Sequence, residues 1–197
     1  MLDNFAHLGG WKYEDVNKDG VINDQDKIIL GDPNPKLILG FNNDVTYKNF
    51  SASIFFQGAF GQKLFNVNKL FIQTGYGQSN QTKEWWSKRW TPQNPHNDIN
   101  FPGAVQQSHL NANSFAIENA SYLRLKNVVV SYKVPLKSQV IKSLQISATA
   151  NNLITITKYS GFDPEVSRYQ NSNSGIGYDF GSYPRSRTFL ISLNVNF

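Results

Sequence analysis

The sequence contains 197 residues, of which 40% are hydrophobic, 14% aromatic and 17% charged, and its formal net charge is +5. Lys and Arg are scattered rather than clustered beside aromatic platforms, which argues against nucleic-acid binding. The lack of Cys excludes disulfides, thiolate catalysis and Cys-based zinc sites. No run approaches the ~18 apolar residues of a transmembrane helix, and the residues after Met1 do not form a signal peptide.

The first motif has the pattern DxNxDGxIxxxD and begins at Asp15. Calcium loops of the EF-hand type present side-chain oxygens at positions 1, 3 and 5, a backbone carbonyl at position 7 and a carboxylate at position 12. The matching ligands are Asp15, Asn17, Asp19, the carbonyl of Val21, and Asp26. Segment 15–26 is therefore interpreted as an EF-hand-like loop that holds a structural Ca²⁺. The alternative is a turn held by side-chain-to-backbone hydrogen bonds.

Two strands are predicted next, joined by the two-residue turn Lys48-Asn49. In each strand apolar residues occupy every second position, which indicates one apolar and one polar face. The apolar sets are Leu37, Leu39, Phe41, Val45 and Tyr47 in the first strand, and Phe50, Ala52, Ile54 and Phe56 in the second. The polar sets are Gly40, Asn42, Asp44 and Thr46 in the first, and Ser51, Ser53 and Gln57 in the second.

A long polar and aromatic segment, 61–117, follows the second strand and is predicted to be a loop. Within it, Glu84, Trp85 and Arg89 are expected on a short helix that Asn80 or Thr82 would open as its N-cap.

Three further strands are predicted in the second half of the chain. The third, from Tyr122 to Tyr132, changes phase, because Leu123 and Leu125 alternate on one face while Val128 and Val130 alternate on the other; a bulge near Lys126-Asn127 is one explanation. The fourth has Leu144, Ile146, Ala148 and Ala150 opposite Gln145, Ser147, Thr149 and Asn151. In the last, Phe189, Ile191, Leu193, Val195 and Phe197 alternate with Thr188, Leu190, Ser192, Asn194 and Asn196.

Short and long connections alternate between these strands. The links 48–49 and 133–142 are short, whereas 61–117 and 153–184 are long. Successive links of antiparallel strands lie at opposite ends of the sheet, so all the long loops fall at one end, which is the layout of transmembrane β-barrels.

The side chains allow two interpretations of this all-β pattern. Polar faces of Ser, Thr, Asn and Gln suit a water-filled lumen, and Tyr47, Phe50, Tyr132 and Phe197 at strand ends suit an aromatic girdle. A soluble β-sandwich alternates in the same way and stays open as the alternative. Because five strands do not close a barrel, a membrane-spanning sheet would need further strands beside it.

Short motifs along nearly the whole chain resemble, in order and spacing, the late barrel region of the SusC/RagA family of TonB-dependent outer-membrane proteins. They are DVNKDGVI from Asp15, GDPNPK from Gly31, GFNN from Gly40, YKNF from Tyr47, FFQG from Phe55, RWTP from Arg89, SYLRLKN from Ser121, NNL from Asn151, YSGFDPE from Tyr159 and YPR from Tyr183.

The resemblance implies a fold, a location and partners. It implies that residues 1–197 are the C-terminal antiparallel strands of an incomplete transmembrane β-barrel, with long extracellular loops, in the outer membrane of Bacteroidetes-type bacteria. Such proteins import glycans or peptides, are powered through a TonB-contacting N-terminal segment, contain a plug domain, and work with a SusD-like lipoprotein. The plug and the TonB-contacting segment are expected to lie outside this sequence, which would make the chain a fragment. The terminal aromatic, Phe197, is implied as a signal for the barrel-assembly machinery.

The long segments also hold aromatic residues that are candidates for contact with a sugar, a peptide or the lipoprotein. They are Trp85, Trp86, Trp90, Tyr159, Phe162, Tyr178, Phe180 and Tyr183. Packing of these rings against their own loops is the alternative.

No Ser elbow, phosphate loop or dinucleotide fingerprint occurs in the sequence, and the three His do not form a ligand spacing, so no enzyme is predicted. The function predicted is transport as part of an outer-membrane importer. The alternative is a secreted, calcium-stabilised β-sandwich that binds carbohydrate.

Overall fold

The computed structural model describes residues 8–75, 79–103, 113–166 and 175–197. The chain divides into two compact units, which are described separately below. The first unit comprises 1–33, 63–118 and 166–182, and the second comprises 34–62, 119–165 and 183–197. The described elements are a 3-10 helix (Asp24–Asp26), β1 (Leu37–Tyr47), β2 (Phe50–Phe60), β3 (Lys63–Asn66), α1 (Val67–Ile72), α2 (Lys83–Lys88), β4 (Ile117–Asn119), β5 (Tyr122–Val134), β6 (Ser143–Thr157), β7 (Tyr178–Asp179) and β8 (Thr188–Asn196).

The second unit is a five-stranded antiparallel sheet in the order β1-β2-β5-β6-β8. All five predicted strands are present. β6 extends to Thr157, beyond its predicted end, so the connection predicted as 153–184 begins only at residue 158.

The register gives this sheet one continuous apolar face, because directly paired residues of antiparallel strands lie on the same side. One cross-strand row is Tyr47, Phe50, Tyr132, Ile146 and Leu193, and the next apolar row is Val45, Ala52, Val130, Ala148 and Ile191. In the first row the rings of Phe50 and Tyr132 lie 4.5 Å apart between centroids. The apolar face is exposed, and Ile191 retains 86% of its accessible surface.

The opposite face is polar, as the sequence predicts. Its most regular row consists of hydroxyl side chains, namely Thr46, Ser51, Ser131, Ser147 and Ser192. The hydroxyl oxygens of Ser131 and Ser147 are hydrogen-bonded at 2.8 Å. Cross-strand hydroxyl pairs of this kind hold the register of neighbouring strands.

A bulge at Lys126 explains the change of phase in β5. Leu125 pairs with Ile154 and Asn127 pairs with Asn151, so the register omits Lys126 from the ladder. The shift is also present against β2, between Phe55 and Phe56. The extra residue returns the apolar residues on both sides of the bulge to one face, and the predicted bulge is confirmed.

The two ends of the sheet differ. Lys48 adopts φ 53° in the turn between β1 and β2, and the link between β5 and β6 spans 135–142. At the same end the amide of Lys133 donates to the carbonyl of Asn49, and that of Lys142 donates to Asn196. The connections 61–121 and 158–187 leave from the other end. The alternation of short and long links is therefore present.

The first unit contains a small sheet in the order β4-β3-β7 together with α1. Leu70, Phe115 and Ala116 form its buried cluster, against which Trp11 and Phe65 pack. β3 and α1 interrupt segment 61–117, which was predicted as a loop with one short helix around Trp85. Neither helix among the described residues has the length and apolarity needed to cross a bilayer.

The predicted helix around Trp85 is α2. The hydroxyl of Thr82 accepts a hydrogen bond from the amide of Trp85 at 3.2 Å, so Thr82 is the N-cap and Asn80 is not. Lys88 and Glu84 form an ion pair one turn apart on the helix, at 2.8 Å.

We predict that arginine is tolerated on the polar face of β8 and not on the apolar face. We choose Ile191 rather than Leu193 as the probe of the apolar face. Leu193 lies in the cross-strand row that contains the aromatic residues, and this row suits the boundary of the membrane rather than its centre. Ile191→Arg should lower the free energy of unfolding of the complete barrel in lipid by about 2–4 kcal/mol. The matched control, Ser192→Arg, should have a much smaller effect in urea titrations. Equal losses would show that the faces are assigned wrongly.

Candidate functional site

Arg124 is a buried charged residue of the sheet unit, because its residue surface is only 1% exposed although it lies on the polar face of β5. One terminal nitrogen of its guanidinium contacts a carboxylate oxygen of Asp163 at 2.7 Å, and the other contacts Glu165 at 2.7 Å. A buried guanidinium is costly unless it is paired and hydrogen-bonded. The two carboxylates compensate the charge, so Arg124 fixes the position of the segment that carries them.

Glu165 is the centre of this cluster. It accepts a hydrogen bond from the hydroxyl of Tyr122 at 2.6 Å, and its other oxygen also contacts Nζ of Lys126 at 3.3 Å and Nε of Arg185 at 3.1 Å. Three strand residues and the residue after Pro184 therefore converge on one carboxylate. Lys126 is available for this contact because it is the bulged residue of β5.

Asp163 orders the backbone around the cluster. One of its oxygens accepts a hydrogen bond from the amide of Glu165 at 2.9 Å, and the other accepts from the amide of Arg185 at 3.2 Å. Nearby, a Cβ added to Gly161 would overlap the ring of Tyr159, so the segment passes that ring only as glycine. The carboxylates thus connect two separate stretches of chain to β5.

The environment keeps Glu165 ionised. Burial raises the pKa of Glu165. The hydrogen bond from Tyr122 and the charges of Arg124, Lys126 and Arg185 together lower it by more than burial raises it, so the pKa lies below its usual value of 4.5. The lowered pKa means that ionised Glu165 stabilises the folded state above about pH 4.5, and that this stabilisation is lost as the pH falls through the folded-state pKa.

The sequence did not predict this cluster as a site. Asp163 and Glu165 entered the prediction only as part of the YSGFDPE motif, without a role of their own. A usable signal was Arg124 on the polar face of a strand, because an arginine that becomes buried there requires acidic partners from elsewhere in the chain.

The predicted calcium loop is folded by hydrogen bonds among its own residues. Asp15 Oδ2 accepts from the amide of Gly20 at 2.9 Å, Asn17 Oδ1 from the amide of Asp19 at 2.9 Å, and Asp19 Oδ1 from the amide of Val21 at 2.8 Å. Two oxygens of Asp26 accept from backbone amides, of Val16 at 2.9 Å and of Asn23 at 2.8 Å. The backbone hydrogen bond from Asn23 is the first cause that lowers the pKa of Asp26.

The donor set of this loop fits Ca²⁺ in chemistry and only in part in geometry. All the predicted ligands are oxygens, and Asp15 Oδ1 is buried with no hydrogen-bond partner among the described residues. However, the described part of the chain contains no group of three His, Cys, Asp or Glu side chains close enough to share a metal ion. Asp15, Asp19 and Asp26 therefore form a loop that carries a free oxygen, and its three carboxylates do not converge.

The predicted loop aromatics divide into two groups. Trp85 and Tyr159 are buried, and Trp90 and Tyr178 are half-buried; the indole of Trp85 donates to the carbonyl of Pro102 at 2.9 Å, and Tyr178 packs edge-on against Phe65. These rings pack against their own unit. Trp86, Phe162 and Tyr183 are largely exposed, Phe180 less so, and the guanidinium of Arg89 lies 3.6 Å from the ring centroid of Trp86.

We predict that Glu165→Gln keeps the shape of the cluster but weakens it. The amide can still accept from Tyr122, but it leaves the buried Arg124 with one carboxylate, which should cost about 3 kcal/mol of unfolding free energy. The stability of the wild type should fall as the pH drops from 5 to 3, and the variant should show a shallower fall. Urea titrations of the complete barrel in detergent measure both. Glu84→Gln, at an exposed ion pair, is the control, and equal pH profiles for wild type and Glu165→Gln would contradict the assignment.

Comparisons with known proteins cover almost the whole chain. It is 36% identical to TonB-dependent receptor P3 of Formosa agariphila over an alignment 203 positions long, which covers 100% of this chain and 20% of the relative. It is 30% identical to TonB-dependent receptor SusC of Bacteroides thetaiotaomicron, over 94% of this chain and 17% of the relative. The chain thus spans about a fifth of the length of these relatives. No protein-family model matches the chain.

Solved structures match the fold as well as the sequence. The structure of the RagAB peptide transporter superposes with a TM-score of 0.71 at 28% identity, covering 85% of this chain and 18% of the other. The RagAB peptide importer in its open-open state gives a TM-score of 0.68 at 30% identity, covering 83% of this chain and 17% of the other. Together with the two-faced sheet, these matches show that the chain belongs to the SusC/RagA family of TonB-dependent receptors, as part of the C-terminal region of their β-barrel.

Proposed function

We propose that this chain forms part of the wall of a TonB-dependent outer-membrane transporter that imports oligosaccharides or peptides. The observation that carries the proposal is the register of the five strands, which gives one apolar face in every strand and one polar face opposite. Such a sheet separates lipid from a water-filled interior when further strands continue it on both edges. The sheet would then cross the outer membrane five times.

The exposed apolar face favours this proposal over a secreted β-sandwich. In a sandwich the apolar face of each sheet is buried against the other sheet. Here Phe41 is 59% exposed and Phe189 is 70% exposed. The apolar face therefore needs an apolar medium, which lipid supplies.

The partners follow from the proposed role. A SusD-like lipoprotein is proposed as the partner of the receptor that contains this chain, because the chain is similar to SusC and to the RagAB peptide transporter. Contact with the TonB complex would be made by an N-terminal region outside this sequence.

The exposed aromatics Trp86, Phe162 and Tyr183 are proposed to contact the cargo or the SusD-like lipoprotein, since the other predicted aromatics are wholly or partly packed.

The proposal is tested in a strain whose full-length receptor, including this chain, is deleted and then restored. The restored receptor should fractionate with the outer membrane, co-purify with a lipoprotein, and support growth on one oligosaccharide or peptide mixture. Growth that is equal with and without the receptor on every glycan and peptide source tested would contradict the transport function.

We also propose that the loop 15–26 binds Ca²⁺ weakly. The buried oxygen of Asp15 lacks a partner, and the Asp at position 12 is shorter than the usual Glu. Extracellular calcium modules bind in the range of about 10⁻⁴–10⁻³ M, which suits such a loop. Bound Ca²⁺ would draw the carboxylates together and order the segment before β1.

Calorimetric titration of the full-length receptor with calcium tests the loop. We predict that Asp19→Ala removes the binding heat, because a charged ligand at position 5 is lost. Asp44→Ala, which removes an exposed carboxylate in β1, is the matched control and should leave the heat unchanged. Identical heats for wild type and Asp19→Ala would mean that the loop is only a hydrogen-bonded turn.

Phe197 is proposed to be an assembly signal. It follows directly after β8, is 73% exposed, and continues the alternation that places Leu193 and Val195 on the apolar face. Deletion of Phe197 from the full-length receptor should lower its amount in the outer membrane, measured by immunoblotting of membrane fractions. Phe197→Tyr should preserve the amount, because the ring remains. Unchanged levels after the deletion would contradict the role.

A further inference from the structure

A polar cavity of about 260 Å³ lies beside the ion-pair cluster, entirely within the sheet unit. Its lining includes the buried Arg124 and the β6 side chains Asn152, Thr155 and Thr157. Arg185 and Arg187 also line it, both from the stretch just before β8. Apart from Phe162 and Pro164, the lining residues are polar or charged. The cavity is therefore suited to a polar occupant.

Two side chains that line the cavity have unmet hydrogen-bonding capacity. The Nε of Arg124 is buried and has no partner among the described residues, although both terminal nitrogens of the same guanidinium are paired. Asn152 Oδ1 is likewise buried without a partner, while its nitrogen donates to the carbonyl of Ser186 at 3.1 Å. A buried donor or acceptor left unpaired costs about 1–3 kcal/mol, so an occupant that satisfies it is favoured.

The backbone that presents Asn152 is itself unusual. Asn152 adopts φ 53°, in the left-handed region, at the place where β6 contains two residues opposite the bulge of β5. Asn tolerates this conformation better than most residues, but it is still a sparsely populated one. The double bulge turns the side chain of Asn152 out of the regular ladder and into the lining of the cavity.

The charge around the cavity is positive. Four basic side chains, Arg124, Lys126, Arg185 and Arg187, surround two carboxylates, those of Asp163 and Glu165, which leaves two positive charges. Arg187 makes no ion pair with any other residue in the described part of the chain. An anion in the cavity would meet two of its lining guanidinium groups, that of Arg187, which has no ion pair among the described residues, and that of Arg124, whose Nε–H is unpaired there.

We propose that this cavity binds one anionic group, a carboxylate or a sulfate, carried by the imported molecule. The proposal rests on the transport function proposed above and narrows its substrates to acidic oligosaccharides or acidic peptides. The volume of about 260 Å³ corresponds to roughly nine waters at ~30 Å³ each, which is room for a charged substituent and the unit that bears it but not for an oligomer. Arginine is suited to such a group because its planar donors match carboxylate and sulfate oxygens.

The first test is calorimetric titration of the full-length receptor in detergent with sodium sulfate, at an ionic strength held constant with chloride. Saturable binding is expected. Asn152→Asp places a negative charge in the cavity with almost no change of side-chain size, and it also removes the hydrogen bond to the carbonyl of Ser186; Asp tolerates the same backbone conformation. This variant and Arg187→Gln should each weaken sulfate binding by roughly tenfold or more. Lys133→Gln removes an exposed charge from the polar face of β5 outside the cavity and should leave binding unchanged.

Titrations with an oligogalacturonate and with an oligo-aspartate peptide distinguish the two sources of the anionic group, each beside a neutral counterpart. The acidic ligand of one class should bind more tightly than its neutral counterpart, and Asn152→Asp should abolish the difference. The proposal is overturned if wild type shows no saturable sulfate binding, which would mean that the cavity holds only water, or if Asn152→Asp binds as wild type does. If the receptor supports growth while Asn152→Asp leaves these affinities unchanged, the cavity inference fails and the transport function stands.

Discussion

The constraint on which this structure depends is that every backbone amide and carbonyl in contact with lipid needs a partner within the protein. β2, β5 and β6 meet it, because each pairs with a neighbour on both sides. β1 and β8 are the two edges of the sheet, and each has one open row of backbone groups. In a membrane such edges are tolerated only when further strands continue the sheet. For a sheet in the membrane, the pairing of the strands therefore requires further strands beside β1 and β8.

The bulge of β5 links this wall to the ion-pair cluster. Without an extra residue, the apolar residues before and after Lys126 would lie on opposite faces, and no register would keep all of them on the lipid side. With it, the apolar face is continuous, and Lys126 leaves the ladder to contact Glu165. The same irregularity gives β6 two unpaired residues, one of which is Asn152. The irregularity that keeps the apolar face continuous thus also places Asn152 in the lining of the cavity.

Much of the sheet could be predicted from the sequence, because alternation along a strand is a local signal. This alternation predicted the five strands, the turn at Lys48 and the bulge near Lys126. The end of β6 was not, because Leu153 and Ile154 follow a pair of Asn residues and break the alternation. The small elements of 61–117 were missed for a similar reason, since β3 and α1 are too short for a periodic pattern.

The ion-pair cluster could not be predicted because its partners are distant in sequence. Asp163 is 39 residues from Arg124, and nothing in the local pattern around either residue indicates the other. Only the register and the path of the chain after β6 bring them together. The predicted calcium loop differs from the cluster, because its residues are close in sequence and form a recognisable motif. There the described residues form hydrogen bonds that resemble a metal-free turn, so the motif predicts which oxygens are candidate ligands but not their arrangement.

The two carboxylates also couple the position of the loop to the charge of the cavity. Asp163 and Glu165 lie in one short stretch with Pro164 between them, so their ion pairs with Arg124 form and break together. If that stretch moved away, Arg124, Lys126 and Arg185 would lose their shared counter-charge at once, and a buried guanidinium would be left unpaired. The cost of that state holds the stretch in place. The same interaction that fixes the loop also offsets two of the four positive charges around the cavity.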